Sequence, residues 1–251
     1  MVASTIFKIP SIEDAGRILF VQPHPDDNDI GAGGTIAKLS NNGCEIYYLT
    51  VTNGSMGTVD PLRKRDKLAY IRKEEQEKAA DILGVKQVIS LGIDELTNIP
   101  VTDMAGKIVN VIREIKPEIV ITVDPWLMYE GHPDHIKVGK ATVEACLFAL
   151  FPHYPSNEEG ITYESYSVQG IGFYHTTYPN TIIDIGGYFE KKIKSIATHI
   201  SQFNKDDLQM MKDYLKLKSK QIGESNGYKL AEGFKIFTPK HMHCFVDAVK
   251  I

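Results

Sequence analysis

Apolar and polar positions follow two alternating periods along the first half of the chain. Short apolar runs at Arg17 to Val21, Glu45 to Thr52, Gln87 to Leu91 and Glu118 to Val123 read as buried strands. Between them, amphipathic stretches at about Ile30 to Asn42, Lys64 to Leu83 and Thr102 to Lys116 read as helices. Gly43 and Gly84 stand where helix C-termini favour glycine, and Pro117 cannot continue a helix. A loop covers Asn53 to Pro61. A longer loop, Asp124 to Pro133, precedes a helix from about His135 to Phe151. The remainder predicts strands near Ser167 to Phe173 and Thr181 to Ile185, then helices around Tyr188 to Phe203 and Asp206 to Ile222. Alternating strands and helices predict an α/β fold, a Rossmann-like, mostly parallel sheet flanked by helices, with a C-terminal elaboration. The one candidate boundary, Pro152 to Gly160, leaves too little sequence on either side for two cores, so a single domain over 1–251 is expected.

Ligands of open α/β sheets sit in the crevice beyond the carboxyl ends of the strands. Two histidine clusters fall there. The first strand runs into Pro23-His24-Pro25-Asp26-Asp27, and the fourth leads through its loop into His132-Pro133-Asp134-His135. Two histidines and a carboxylate from these clusters make a catalytic metal set with open positions, suited to zinc and also to ferrous iron or cobalt. The prolines hold the residues before them in extended geometry. Each cluster alone has a plainer reading: a histidine near a strand end is usually a surface residue, and Asp27 or Asp29 would cap the helix starting near Ile30. Their joint placement at one sheet edge favours a metal. The stretch Gly31-Ala32-Gly33-Gly34 lacks the G-x-G-x-x-G spacing of a dinucleotide loop, and Asp26 and Asp27 would repel a pyrophosphate. Close packing of the first helix on the sheet is the better role for these glycines.

Composition narrows the field. The 251 residues are 43% hydrophobic and 24% charged, as in globular proteins, and no apolar run approaches the roughly 18 residues of a membrane span. A net charge of -4 argues against nucleic acid as a partner. Cys44, Cys146 and Cys244 form no C-x-x-C pair, and the first ten residues show no signal-peptide pattern, so a reducing, cytoplasmic setting is expected.

His-Pro-Asp-Asp followed by Gly-x-Gly-Gly-Thr, with the later His-Pro-Asp-His, resembles the signature of the LmbE-like or PIG-L family of metal-dependent N-deacetylases. Supporting features extend along the chain: Arg72-x-x-Glu75, Asp184, His199-Ile200-Ser201-Gln202 and Ala231-Glu232-Gly233-Phe234. The run Trp126-x-x-Tyr129-Glu130-x-His132 and the C-terminal histidines are most similar to the diacetylchitobiose deacetylases. The resemblance implies zinc ligation by His24, Asp27 and His135. It implies Asp26 as general base and His132 as the group that stabilises the oxyanion and protonates the leaving amine. Asp134 is expected either to hold His132 and raise its pKa or to cap the helix beginning at His135. Arg72 is expected to reach substrate or base, against the plainer reading of an i, i+3 pair with Glu75. Trp126 and Tyr129 are expected to stack on a sugar ring or to pack in the core. His241 and His243 are expected to be exposed or to close over a sugar site, including one in a neighbouring subunit. Asp124 is either a turn residue or support for the metal site. Two departures stand out: Asn28 occupies a place where many members have Glu, and Glu130 one where thiol-cofactor deacetylases have Tyr. The reading is a zinc hydrolase removing acetyl from an N-acetylglucosamine unit of a small amino sugar, with no membrane partner and a homo-oligomeric state, trimer or hexamer. The alternatives are amide cleavage on a thiol-conjugated or other non-chitin substrate and a metal-stabilised sugar-binding module without turnover.

Overall fold

The alternating pattern produces a single seven-stranded sheet. The computed structural model describes residues 8–155 and 163–251, so the candidate boundary lies partly outside the described residues. The strands are β1 (Arg17–Gln22), β2 (Glu45–Thr52), β3 (Gln87–Ile93), β4 (Ile119–Val123), β5 (Gly170–Tyr174), β6 (Thr181–Asp184) and β7 (Ala231–Phe237), in the order β3-β2-β1-β4-β5-β7-β6. The first five run parallel, and β7 pairs antiparallel with both β5 and β6. The helices are α1 (Asp27–Asn41), α2 (Arg65–Leu83), α3 (Val101–Ile115), α4 (Pro133–Phe148), α5 (Phe189–Ile196) and α6 (Lys205–Glu224). Successive side chains of β1 point to opposite faces. Ile18 and Phe20 join a core that includes Ile36 and Leu39 of α1 and Phe189 and Ile193 of α5, while Leu19 and Val21 join Ile108 of α3 and Val138 of α4. Among the described residues no helix is long and apolar enough to cross a membrane.

Strand order positions the site. β1 has β2 on one side and β4 on the other, so the chain changes direction across the sheet between β1 and β4, where such folds open a crevice at the strand ends. The segments after β1 and after β4 carry the two histidine clusters. The glycines of α1 do bring that helix close: a Cβ on Gly31 would stand 2.3 Å from the Tyr174 ring, and one on Gly34 2.8 Å from Ile185.

Several expected boundaries shift, each for a local reason. α1 starts at Asp27 rather than Ile30, because the Asp27 carboxylate accepts the His24 amide (2.8 Å) and the Asn28 amide donates to Gln22 (2.8 Å). α4 starts at Pro133 rather than His135. Proline suits the first helical position, and His132 caps the helix by accepting the Asp134 amide on Nδ1 at 3.2 Å. The helix expected to run to Phe203 stops at Ile196, and Thr198 to Gln202 form tight turns whose side chains bond other elements. β7 was not expected as a strand, because its inward positions include the charges of Glu232 and Lys235, both buried.

Candidate metal centre

Three imidazoles meet at the β1–β4 crevice, where ring nitrogens of His24, His132 and His135 lie within 4.8 Å of one another. His24 and Asp27 are buried, His135 and His132 half-buried. The Asp27 carboxylate spans two rings, with Oδ2 3.3 Å from His24 Nδ1 and Oδ1 3.4 Å from His135 Nε2. These gaps exceed a good hydrogen bond and match the roughly 3.4 Å between ligand atoms that share one tetrahedral ion with bonds of about 2.0–2.1 Å. The far side of the His24 ring is similar: Nε2 faces Asp134 Oδ2 at 3.5 Å and Glu95 Oε1 at 3.7 Å and makes no hydrogen bond. The Asp27 carboxylate, shared at ligand spacing between His24 Nδ1 and His135 Nε2, fits a divalent cation on that side of the His24 ring.

The electrostatics are those of a site built around positive charge. Burial works against a charged His24, but Asp134 and Asp27 outweigh it and raise its pKa to about 10. Burial likewise opposes ionisation of Asp27, yet His135 and His24 hold it well below the usual carboxylate range. His135 is raised despite its burial, through Asp27. His132 goes the other way, lowered by burial and by the neighbouring His24 and His135.

The Asp134 carboxylate accepts the Leu96 amide (2.9 Å) and faces His24, and its own amide donates to His132. It is therefore not the helix cap, and although its charge pulls the His132 pKa upward, burial and the neighbouring His24 and His135 outweigh that pull. Asp26 has its Oδ1 held by Arg72 Nη2 at 3.1 Å. Arg72 also donates to the Gly54 carbonyl (3.0 Å) and does not pair with Glu75. Asp124 shapes a turn, accepting the Trp126 amide at 2.9 Å.

The remaining expected residues lie further out. Trp126 is half-exposed, with Lys140 Nζ 3.8 Å over its ring and Phe173 edge-on. Tyr129 is 96% exposed and left-handed at φ 74°, an unusual conformation for a residue with a side chain. His241 is buried in a short 3-10 turn, Pro239–Met242, where Nδ1 accepts the Thr238 amide and the ring meets Phe237 and Phe245. His243 is exposed, beside Cys244. The described contacts bring neither C-terminal histidine to the imidazole cluster.

Sequence reasoning missed two carboxylates. Glu130 accepts the His132 amide (2.7 Å) and faces His135 Nδ1 (3.1 Å), so it orients the second ring. Glu95, just past β3, is buried between His24 and His132, 3.9 Å from His132 Nε2, and accepts the Met56 amide. The signal for Glu95 was its position, a carboxylate after a third parallel strand at the same edge.

A family model described as PIG-L, GlcNAc-PI de-N-acetylase, matches residues 19–146. The chain is 39% identical over 239 residues to the diacetylchitobiose deacetylase of Thermococcus kodakarensis, covering 94% of this chain and 89% of that protein. It is 31% identical to a probable N-acetyl-alpha-D-glucosaminyl L-malate deacetylase 2 of Bacillus cereus, over 74% of this chain and 83% of that protein. Among solved structures it resembles the N,N'-diacetylchitobiose deacetylase from Pyrococcus horikoshii, with a TM-score of 0.89 and 36% identity, covering 95% of this chain and 90% of that one.

Proposed function

Because the chain belongs to the PIG-L family of N-deacetylases, we propose that it hydrolyses the acetamide of an N-acetylglucosamine unit in a small sugar such as diacetylchitobiose. His24, Asp27 and His135 would hold the metal, assigned here as zinc, and the whole chain would act as one domain. When bound, the ion supplies Lewis acidity, polarising the amide carbonyl and lowering the pKa of water to about 7. The observation that carries the reading is the splitting of the two adjacent aspartates: Asp27 faces the two rings and Asp26 is turned to Arg72.

The protein groups divide the remaining work. Asp26, with Oδ1 engaged by Arg72, keeps its other oxygen to take a proton from the attacking water. His132 accepts the Asp134 amide on Nδ1, which leaves the proton of the neutral ring on Nε2. That N–H donates to the developing oxyanion, and its proton passes to the departing amine as the ring takes up the proton that Asp26 removed from the water, so both groups end as they began. Asp134 and Glu95 steady His24, and Glu130 steadies His135. Arg72 contributes to substrate binding through its place beside Asp26. Tyr129 and Trp126 are the sugar-stacking surfaces, Tyr129 offering the more exposed ring. His243 is the exposed C-terminal histidine available to a sugar, whereas His241 shapes the segment that carries it.

Three free cysteines accord with a reducing compartment, and we place the protein in the cytoplasm. Exposed Met210, Tyr214 and Leu217 along α6 support association into a homo-oligomer of three or six chains. Metal analysis with amine-release assays on N-acetylglucosamine, its β-1,4 dimer and a thiol-conjugated amide tests the whole reading. Zinc near one per chain and turnover of the sugars are expected. Release from the thiol conjugate alone would redirect the substrate assignment. Asp26→Ala should keep its zinc and lose turnover; full activity in that variant would remove Asp26 from the mechanism.

A further inference from the structure

The turn after α5 has no part in the chemistry above, yet its side chains reach α2 and the loop after β2. Arg72 and Glu75 share one face of α2, each 3% exposed, and diverge. Glu75 takes the Ser201 amide on Oε1 (2.8 Å) and the Ser201 hydroxyl on Oε2 (2.6 Å), while Thr198 donates its hydroxyl to the Glu75 carbonyl (3.1 Å). Gln202 donates from Nε2 to the Gly57 carbonyl (3.1 Å) and to Ser201 Oγ (3.0 Å). The turn thus binds α2 at Glu75 and the Gly54–Gly57 loop at Gly57, on either side of Arg72.

The guanidinium lies in the slot between them. A Cβ on Gly54 would stand 2.7 Å from Arg72 Nη1, and one on Gly57 2.6 Å from the same nitrogen and 2.7 Å from Gln202 Oε1. Arg72 Nε is buried without a hydrogen-bond partner, so the fork is held at Asp26 and Gly54 and is not saturated on all sides. Its aim therefore depends on the walls of the slot, and Gln202 fixes one wall.

Building on the deacetylase reading, we propose that Glu75, Ser201 and Gln202 are positioning residues that act through Arg72, keeping its guanidinium on Asp26. The test is a double-mutant cycle. Gln202→Ala and Ser201→Ala each lower kcat/KM about tenfold with metal content retained, the effect of one lost hydrogen bond carried fully into the transition state. Ser201→Thr, which keeps the hydroxyl, restores activity. In an Arg72→Ala background the same substitutions cause no further loss, because the group they aim is gone. Should Arg72→Ala fail to fold, Arg72→Met keeps the side-chain stem and serves as the background. Losses of equal size in both backgrounds would overturn the proposal in favour of a general structural role. A second readout is independent of turnover: labelling with an arginine-directed dicarbonyl, followed by peptide mass spectrometry. Arg72 is protected in the wild-type chain and reacts several-fold faster in Gln202→Ala; an unchanged rate overturns the proposal. A wild-type chain that releases no amine defeats the deacetylase reading instead, and the labelling result still decides the positioning role.

Discussion

Two buried clusters of opposite charges flank α1, and they differ in one respect. In the first, Lys192 Nζ sits 2.5 Å from Glu232 Oε1, and the same carboxylate accepts the amides of Gly34 and Thr35 at 3.1 and 2.7 Å. Close to it, His199 meets Asp29 at 2.8 Å, and Asp29 also accepts the Tyr48 hydroxyl. In the second, at the start of α1, the charged contacts among His24, Asp27, Glu95, Asp134, His132 and His135 lie between 3.3 and 3.9 Å. Both clusters put charges out of water at a cost. The first pairs its opposite charges directly at hydrogen-bond distance, whereas the second takes its direct hydrogen bonds from backbone amides and from Glu130. The second keeps gaps of ligand size and an orphaned ring nitrogen. Residue types alone do not separate an internal clasp from a metal centre; the spacing of their polar atoms does.

The sharpest way to break this comparison is to remove one member from each cluster. Asp27→Ala should empty the metal centre and reduce deacetylation by about a thousandfold or more, since both the ion and its orientation are lost. Circular dichroism should show a folded chain and metal analysis little bound zinc. A variant that keeps a full complement of zinc would take Asp27 out of the ligand set. Lys192→Met is the counterpart. It strands the Glu232 carboxylate in the core and should cost about 3–5 kcal/mol of stability, read by urea unfolding, while zinc content stays at the wild-type level. If Lys192→Met instead stripped the metal and left stability alone, the division between clasp and centre would collapse.

Much of this division was legible in the sequence, and the reason lies in topology. Parallel strands put the residues that follow them on one edge, so His24 after β1 and His132 after β4 could be brought together from order alone. The clasp was far less visible. Glu232 and Lys235 break the apolar alternation of β7, and their burial depends on Lys192 of α5 and on backbone carbonyls near the C-terminus, partners remote in sequence. The i, i+3 spacing of Arg72 and Glu75 pointed to a pair because helix geometry brings such residues together, and it gave no sign that Asp26 and Ser201 would claim them separately. Asp134 misled for a similar reason: Asp near a helix start is usually a cap, but here His132 takes that role and frees the carboxylate for Leu96 and His24.

The smallest effect distinguishes the clusters by their response to pH. In the metal-free chain, Asp134 and Asp27 overcome burial and raise His24 from its ordinary 6.5 to about 10. A group whose pKa is raised on folding stabilises the fold fully below its unfolded value, and that contribution disappears as pH climbs through the folded one. Chelator-treated protein should therefore lose thermal stability between pH 6.5 and about 10. The melting midpoint should fall steadily across that range. Asp27, held low by His135 and His24 against its burial, adds stability that is lost only on the acid side, as pH falls below its ordinary 3.8. In the proposed site zinc would take the place of the proton on the ring, so zinc-loaded protein should show a flatter alkaline limb. Lys192→Met should leave the slope of the chelated chain intact, and His24→Gln should abolish it. Melting curves of chelated and zinc-loaded protein across that range decide the matter. Equal slopes in the two forms would mean that His24 carries its proton, or none, irrespective of metal, and would remove it from the ligand set.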